Sequence, residues 1–126
     1  MTTNANIRVL IADDNPRSRS GMRALLTTRP EVEVVDTAQD GEQAVQDAAM
    51  LQPDVVLMDV QMPGLDGLEA TRQIKARWPR IRVIVLTLYP AYQAAARLAG
   101  ADAFLLKGSP PEDLFNALTR LMGRNA

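Results

Sequence analysis

Five short apolar runs recur along the chain at similar intervals. Within each run the apolar residues are continuous rather than alternating with polar ones, which is typical of strands covered on both faces of a sheet. The predicted strands are Ile7–Ala12, Val32–Asp36, Val55–Asp59, Val83–Thr87 and Ala103–Leu106. We therefore expect a buried sheet of five strands.

The segments that follow these runs have apolar residues at helical spacing. Pro16 stands at a first-turn position of the first helix. Asp40 is a candidate cap of the second helix, and Asp66 opens the third. The fourth, Ala91–Ala99, is rich in alanine and ends at Gly100, and the last begins after two prolines. Each strand is thus expected to be followed by a helix.

This alternation predicts a single α/β domain, a (βα)5 doubly wound parallel sheet. Right-handed crossovers leave few strand orders, and we expect 2-1-3-4-5, as in flavodoxin-like folds. In such sheets the ligand crevice lies outside the carboxyl ends of the strands, at the switch point between the first and third.

Polar residues stand where four of the predicted strands stop. Asp13 and Asp14 follow the first strand and Asp59 ends the third. Thr87 ends the fourth, and Lys107 follows the fifth. Because carboxyl ends of parallel strands meet at one edge, these residues are expected to converge. The crevice would then contain three carboxylates, one hydroxyl and one ammonium.

Three adjacent carboxylates repel one another unless a cation is present, and Mg²⁺ prefers such oxygen ligands. A carboxylate can itself accept a phosphoryl group and form an acyl phosphate. Other interpretations stay open at this point. Asp13 and Asp14 could cap the first helix, Asp59 could be a turn residue, Thr87 a β-branched strand residue, and Lys107 a structural partner of the aspartates.

Composition excludes several classes of function. A net charge of −1 gives no global basic field, so this domain alone is not expected to bind DNA. The chain has no cysteine and no histidine, which removes disulfides, thiolate chemistry, imidazole bases and the usual zinc sites. No apolar stretch approaches the roughly 20 residues of a membrane span, and the N-terminus has no signal-peptide pattern. We expect a cytoplasmic protein without membrane contact.

Four segments in order resemble the receiver domain of two-component response regulators. They are IADDN, VVLMDVQMPGLDG, VIVLT and GADAFLLK. The resemblance covers residues 6–122 and leaves 123–126 as a tail or the start of a linker. Gly108 after the lysine, together with the GADAFLLK run, is similar to regulators that carry a helix-turn-helix output domain.

The resemblance implies a role for each residue of the crevice. Asp59 would be the phosphoacceptor. Asp14 would bind Mg²⁺ directly, with Asp13, Asp59 and the backbone carbonyl of Gln61 completing the metal site. Lys107 would hold a phosphoryl oxygen.

The resemblance also implies a switch formed by Thr87 and Phe104, in which the aromatic ring turns inward when the threonine moves. Two departures from the family pattern stand beside it. Gly108 replaces a proline that is often preceded by a cis bond, and Leu88 occupies a position where a small residue is usual. Leu88 is expected to crowd the entrance to the acceptor, so Leu88→Ala should change labelling by acetyl phosphate. Tyr89 and Tyr92 could form an exposed partner surface, or they could merely cover the fourth helix.

The resemblance implies a switch in a two-component system. A histidine kinase or phosphotransfer protein would phosphorylate the domain. The phosphorylated domain would then change its contacts in a homodimer or with an output domain that regulates transcription. DNA would be bound only by that output domain. Such a protein catalyses only its own phosphorylation and dephosphorylation. The alternatives are a receiver-like module that signals without phosphorylation, and a Mg²⁺-dependent phosphohydrolase that passes through an aspartyl phosphate.

Overall fold

Residues 6–123 are described by a computed structural model, in which strands and helices alternate as the sequence predicts. The elements are β1 (Ile7–Ala12), α1 (Pro16–Leu26), β2 (Val32–Ala38), α2 (Gly41–Leu51), β3 (Val55–Met58), α3 (Gly67–Arg77), β4 (Arg82–Thr87), a 3₁₀ turn (Pro90–Tyr92), α4 (Gln93–Leu98), β5 (Ala103–Leu106) and α5 (Pro111–Leu121). Of the predicted tail, Gly123 follows α5, and 124–126 lie outside the described residues.

The five strands form one parallel sheet in the order β2-β1-β3-β4-β5. The predicted fold class and strand order are therefore confirmed. The switch point lies between β1 and β3, which are hydrogen-bonded neighbours.

Helices cover both faces of the sheet, which explains why the strands read as continuous apolar runs. Along β1, Leu10 and Ala12 join the apolar cluster beneath α2, α3 and α4. Val9 and Ile11 point the other way, into the cluster beneath α1 and α5. Apart from half-buried Arg8, each residue of β1 is thus buried whichever face it takes.

Side-chain caps fix where three of the helices begin. Asn15 accepts hydrogen bonds from two first-turn N–H groups of α1, at 2.9 and 3.1 Å. Asp40 and Asp66 each accept one from the third residue beyond them, at 2.8 and 2.9 Å. Because Asn15 caps α1, the capping role considered for Asp13 and Asp14 belongs to a different residue.

Four elements have boundaries that differ from the prediction, although β4 differs only in beginning at Arg82 rather than Val83. Strand β2 continues to Ala38 rather than ending at Asp36, since its pairing with β1 continues through Thr37 and Ala38. Strand β3 ends at Met58, so Asp59 is the first residue beyond it. The predicted helix Ala91–Ala99 is shorter, because the chain first makes the 3₁₀ turn that opens with Pro90.

Candidate functional site

The strand-end residues lie at one edge of the sheet, because hydrogen bonds continue the ladder one residue past each strand. Asp59 N donates to Ala12 O at 2.9 Å, next to Asp13. On the other side, Lys107 N donates to Thr87 O at 2.8 Å. The backbone of the site is therefore fixed by the sheet itself.

Three carboxylates meet at this edge. One oxygen from each of Asp13, Asp14 and Asp59 lies within 4.8 Å of the other two. Asp13 is buried and Asp59 nearly so, with 12% of its side chain exposed, whereas Asp14 faces solvent. This is the one cluster of three potential metal ligands that residues 6–123 contain. A hard divalent cation is the ion that such an all-oxygen set suits.

The Lys107 ammonium lies between two of these carboxylates. Its Nζ is 2.9 Å from Asp13 Oδ2 and 3.1 Å from Asp59 Oδ2. It also donates to Ser18 Oγ at 3.2 Å, and that hydroxyl in turn donates to Asp13 Oδ2. Sequence reasoning missed Ser18, whose one signal is a hydroxyl in the first turn of the helix after the aspartate pair.

The surroundings shift the pKa values of the two buried carboxylates in opposite directions. Burial raises the pKa of Asp59, and the neighbouring Asp13 carboxylate adds to this, while Lys107 offsets only part. Burial acts on Asp13 in the same direction, but hydrogen bonds from Ser18, Lys107 and Asn15 N outweigh it, so that the pKa of Asp13 lies below its ordinary 3.8. Burial lowers the pKa of Lys107, but the two carboxylates outweigh it and raise the pKa above 10.5. Asp59 is thus the carboxylate whose charge is least compensated.

The main chain at Asp59 is held by a close approach of α3. Val60 N donates to Asp59 Oδ1 at 2.7 Å, and Gly67 N donates to Val60 O at 2.9 Å. A Cβ at Gly67 would lie only 1.7 Å from the Asp59 carbonyl oxygen. Glycine is therefore required here by contact with the strand end, a role that the turn pattern of the sequence did not reveal.

Thr87 and Phe104 lie on neighbouring strands at this edge. Thr87 is 1% exposed, and its Oγ1 accepts a hydrogen bond of 3.3 Å from Tyr89 N. Phe104 pairs with Val85 across β4 and β5 and packs, half-buried, against the cluster beneath α2, α3 and α4. Thr87 thus ends β4 at this edge of the sheet, and Phe104 packs on the face of the sheet that α4 covers.

The two departures from the family pattern have different surroundings. Gly108 adopts φ 90°, a left-handed conformation closed to proline, whose ring holds φ near −65°. Leu88 is 63% exposed and Tyr89 48% exposed, with the Tyr89 ring edge-on to Tyr92 at 6.1 Å. The crowding of the acceptor by Leu88 stays a prediction.

Gln61 lies in the loop after Asp59, beside a cavity of about 550 Å³ that is also lined by Asp14, Met62 and Tyr92. Its side-chain Nε2 donates to the Tyr92 hydroxyl at 3.1 Å. The sequence linked Tyr92 to a partner surface or to the covering of α4, and not to Gln61.

Between residues 6 and 123 there is no helix with the length and apolar character needed to cross a membrane.

Comparisons with known proteins agree with this geometry. Residues 9–119 match the response regulator receiver domain family. The transcriptional regulatory protein LiaR of Bacillus subtilis is 40% identical over 119 residues, which cover 89% of this chain and 54% of that protein. The chain spans about half the length of the curated relatives it matches.

Solved structures extend the likeness to three dimensions. The signal receiver domain of the response regulator NarL from Mycobacterium tuberculosis is 33% identical with a TM-score of 0.88, covering 95% of this chain and 99% of that one. RcsB of Salmonella enterica, bound to a promoter in the presence of the phosphomimetic beryllofluoride, is 32% identical with a TM-score of 0.83, covering 94% and 61%. The chain belongs to the response regulator receiver domain family.

Proposed function

We propose that this chain is a phosphorylation-dependent signalling switch in which Asp59 accepts the phosphoryl group. The observation that carries the proposal is the carboxylate cluster of Asp13, Asp14 and Asp59 with the Lys107 ammonium 3.1 Å from Asp59 Oδ2. This set combines a nucleophile, a group of metal ligands and a fixed positive charge at one edge of the sheet.

The reaction requires little covalent chemistry from the protein. A carboxylate oxygen of Asp59 attacks phosphorus, and the bond from phosphorus to the donor breaks with its electron pair leaving on the donor. The donor is a phosphohistidine of a kinase or phosphotransfer protein, or a small acyl phosphate. Lys107 holds an oxygen of the transferred group and compensates its charge.

Mg²⁺ fits the ligands that the site offers, because it is commonly held by carboxylates together with waters and phosphate oxygens. Asp13, Asp14, Asp59 and the backbone carbonyl of Gln61 would hold it. When bound, the ion neutralises negative charge on the phosphoryl oxygens.

The conformational response follows from the position of Thr87. Its hydroxyl leaves Tyr89 N to bind a phosphoryl oxygen, and Phe104 turns into the space that opens beneath α4. Leu88 and Tyr89, which are exposed next to Thr87, form the access and partner surface. Phosphorylation thereby changes contacts with a second copy, forming a homodimer, or with an attached output domain.

The receiver domain spans residues 6–122, and the whole protein is a transcription regulator that binds DNA through an output domain outside this chain. Support comes from relatives named as transcriptional regulatory proteins and from the promoter-bound RcsB. The domain is no enzyme in the ordinary sense, since it catalyses only its own phosphorylation and dephosphorylation.

Intact-mass measurement after treatment with acetyl phosphate tests the proposal. With Mg²⁺ the parent protein should gain one phosphoryl group, and Asp59→Ala should gain none. Beryllofluoride should bind under the same conditions. A parent protein that takes up neither probe would leave only a phosphorylation-independent module, and steady turnover of phosphate esters lost in Asp59→Asn would instead indicate a phosphohydrolase.

A further inference from the structure

A single side-chain hydrogen bond joins the two loops that border the carboxylate cluster. Gln61 Nε2 donates to the Tyr92 hydroxyl at 3.1 Å, across 31 positions of sequence. One loop follows β3 and the other follows β4. The bond therefore crosses the open side of the crevice rather than its sheet floor.

The Gln61 end lies two residues after Asp59. Val60, between them, is buried, and its carbonyl oxygen accepts a hydrogen bond from Gly67 N. Gln61 itself is exposed, and its side-chain bond to Tyr92 ties it to another element. The position of the Gln61 carbonyl thus depends on the backbone bond at Val60 and on the side-chain bond to Tyr92.

The Tyr92 end closes the 3₁₀ turn that leads into α4. Its ring packs against the cluster beneath α2, α3 and α4, and meets the Tyr89 ring edge-on. Tyr89 N, in turn, donates to Thr87 Oγ1 at 3.3 Å. Contacts therefore run without a break from Thr87 through the turn to Gln61.

We propose that Tyr92 is a positioning residue that, through Gln61, holds the loop after Asp59 in the arrangement of the unphosphorylated protein. This inference rests on the proposed function. When the Thr87 hydroxyl turns to a phosphoryl oxygen, Tyr89 N loses its acceptor, the turn shifts, and the Tyr92–Gln61 bond opens. The bond thereby couples the acceptor loop directly to the start of α4, in addition to the coupling through Phe104.

A bond made only in the unphosphorylated arrangement biases the equilibrium towards it. Its loss should favour the active arrangement by about twofold to fivefold, since an exposed neutral hydrogen bond lies at the low end of the usual range. Tyr92→Phe removes the hydroxyl and keeps the ring. Gln61→Met removes the amide and keeps the backbone carbonyl.

Hydrogen exchange and beryllofluoride binding test the proposal together on the parent, the two single variants and the double variant. In Tyr92→Phe, amide exchange should speed up in residues 60–64 and 90–98, and beryllofluoride with Mg²⁺ should bind about twofold to fivefold more tightly. Gln61→Met should behave alike, and the double variant should equal either single variant. Thr28→Val, which removes an exposed hydroxyl bond at the opposite end of α1, is the matched control and should change neither quantity.

Unchanged exchange in residues 60–64 of Tyr92→Phe would overturn the proposal, as would full additivity in the double variant. The exchange measurement needs no phosphoryl analogue. If the parent failed to bind beryllofluoride, the proposed function would fail, while faster exchange confined to the two loops would still support the coupling of Tyr92 to Gln61.

Discussion

Replacing Gly67 by alanine should damage the acceptor more than it damages the fold. The new Cβ would lie 1.7 Å from the Asp59 carbonyl oxygen and 2.7 Å from its carbonyl carbon. Since Cβ contacts under 3.0 Å essentially never occur, the start of α3 and the end of β3 must separate by about 1.3 Å. The carbonyl oxygen and carbon of Asp59 are both backbone atoms, so no side-chain rotation relieves the contact.

The consequences have different sizes for stability and for chemistry. Overpacking of this kind costs about 1–3 kcal/mol of unfolding free energy. A displacement of about 1 Å at a reacting group can cost on the order of 10²-fold in rate. We therefore expect Gly67→Ala to remain folded and to be labelled by acetyl phosphate about 10–100-fold more slowly than the parent.

Two alanine variants provide matched controls. Gly21→Ala, in α1, meets nothing within 4 Å and should stabilise the protein by roughly 0.5–1 kcal/mol. Gly41→Ala puts a Cβ 2.0 Å from the Leu65 carbonyl oxygen, an overpacking that touches the loop rather than Asp59. Urea denaturation gives the stabilities, and intact mass against time gives the labelling rates. Equal labelling of Gly67→Ala and Gly41→Ala at matched stability would refute a specific role for Gly67.

Three further predictions concern charge. Mg²⁺ at ten times its dissociation constant should raise the free energy of unfolding by about 1.4 kcal/mol. The shift of the urea midpoint measures this stabilisation. A shift of the same size in Asp14→Ala would contradict the ligand set. Lys107→Met should raise the pKa of Asp59 further and slow labelling on the order of 10²-fold, measured against pH, whereas an unchanged rate would exclude the neutralising role. Burial raises the pKa of Asp47 above 3.8, so its ionised form is disfavoured in the fold. Asp47→Asn should therefore be more stable than the parent at pH 7, on the order of 0.5–1 kcal/mol, and the advantage should fade as the pH drops through the raised pKa to 3.8; denaturation at pH 7 and below pH 4 checks this, and a constant difference would disprove it.

The fold could be predicted because apolar continuity and helical spacing are local signals. Continuous runs marked all five strands, and the handedness of crossovers then limited the strand order. The predicted element boundaries were wrong where the local residue pattern and the place of the segment in the fold disagree. Strand β2 extends to Ala38 because pairing with β1 continues through exposed Asp36 and the following residue. Alanine-rich sequence likewise does not distinguish the 3₁₀ turn at Pro90 from the helix after it.

The carboxylate cluster could be predicted because one geometric rule places strand ends together. Residues that complete the site from other directions gave no such signal. Ser18 accepts a hydrogen bond from Lys107 across 89 positions of sequence, and the contact depends on how α1 packs against the sheet. The role of Gly67 depends on the distance between two backbones, which no residue pattern specifies.

The two buried aspartates differ in how far the protein compensates their negative charge. Asp13 receives hydrogen bonds from Ser18, from Lys107 and from Asn15 N, and its pKa is lowered in spite of burial. Asp59 shares the lysine at a longer distance, and its pKa is raised. Asp13 is therefore already ionised and fixed, as a permanent ligand should be. Asp59 keeps charge that the protein alone does not compensate, and this charge disfavours the fold until a cation binds. A phosphoryl group on Asp59 would add more negative charge at this position. A bound cation, Lys107 and the Thr87 hydroxyl would have to compensate it, and this requirement is what would couple the modification to a change of conformation.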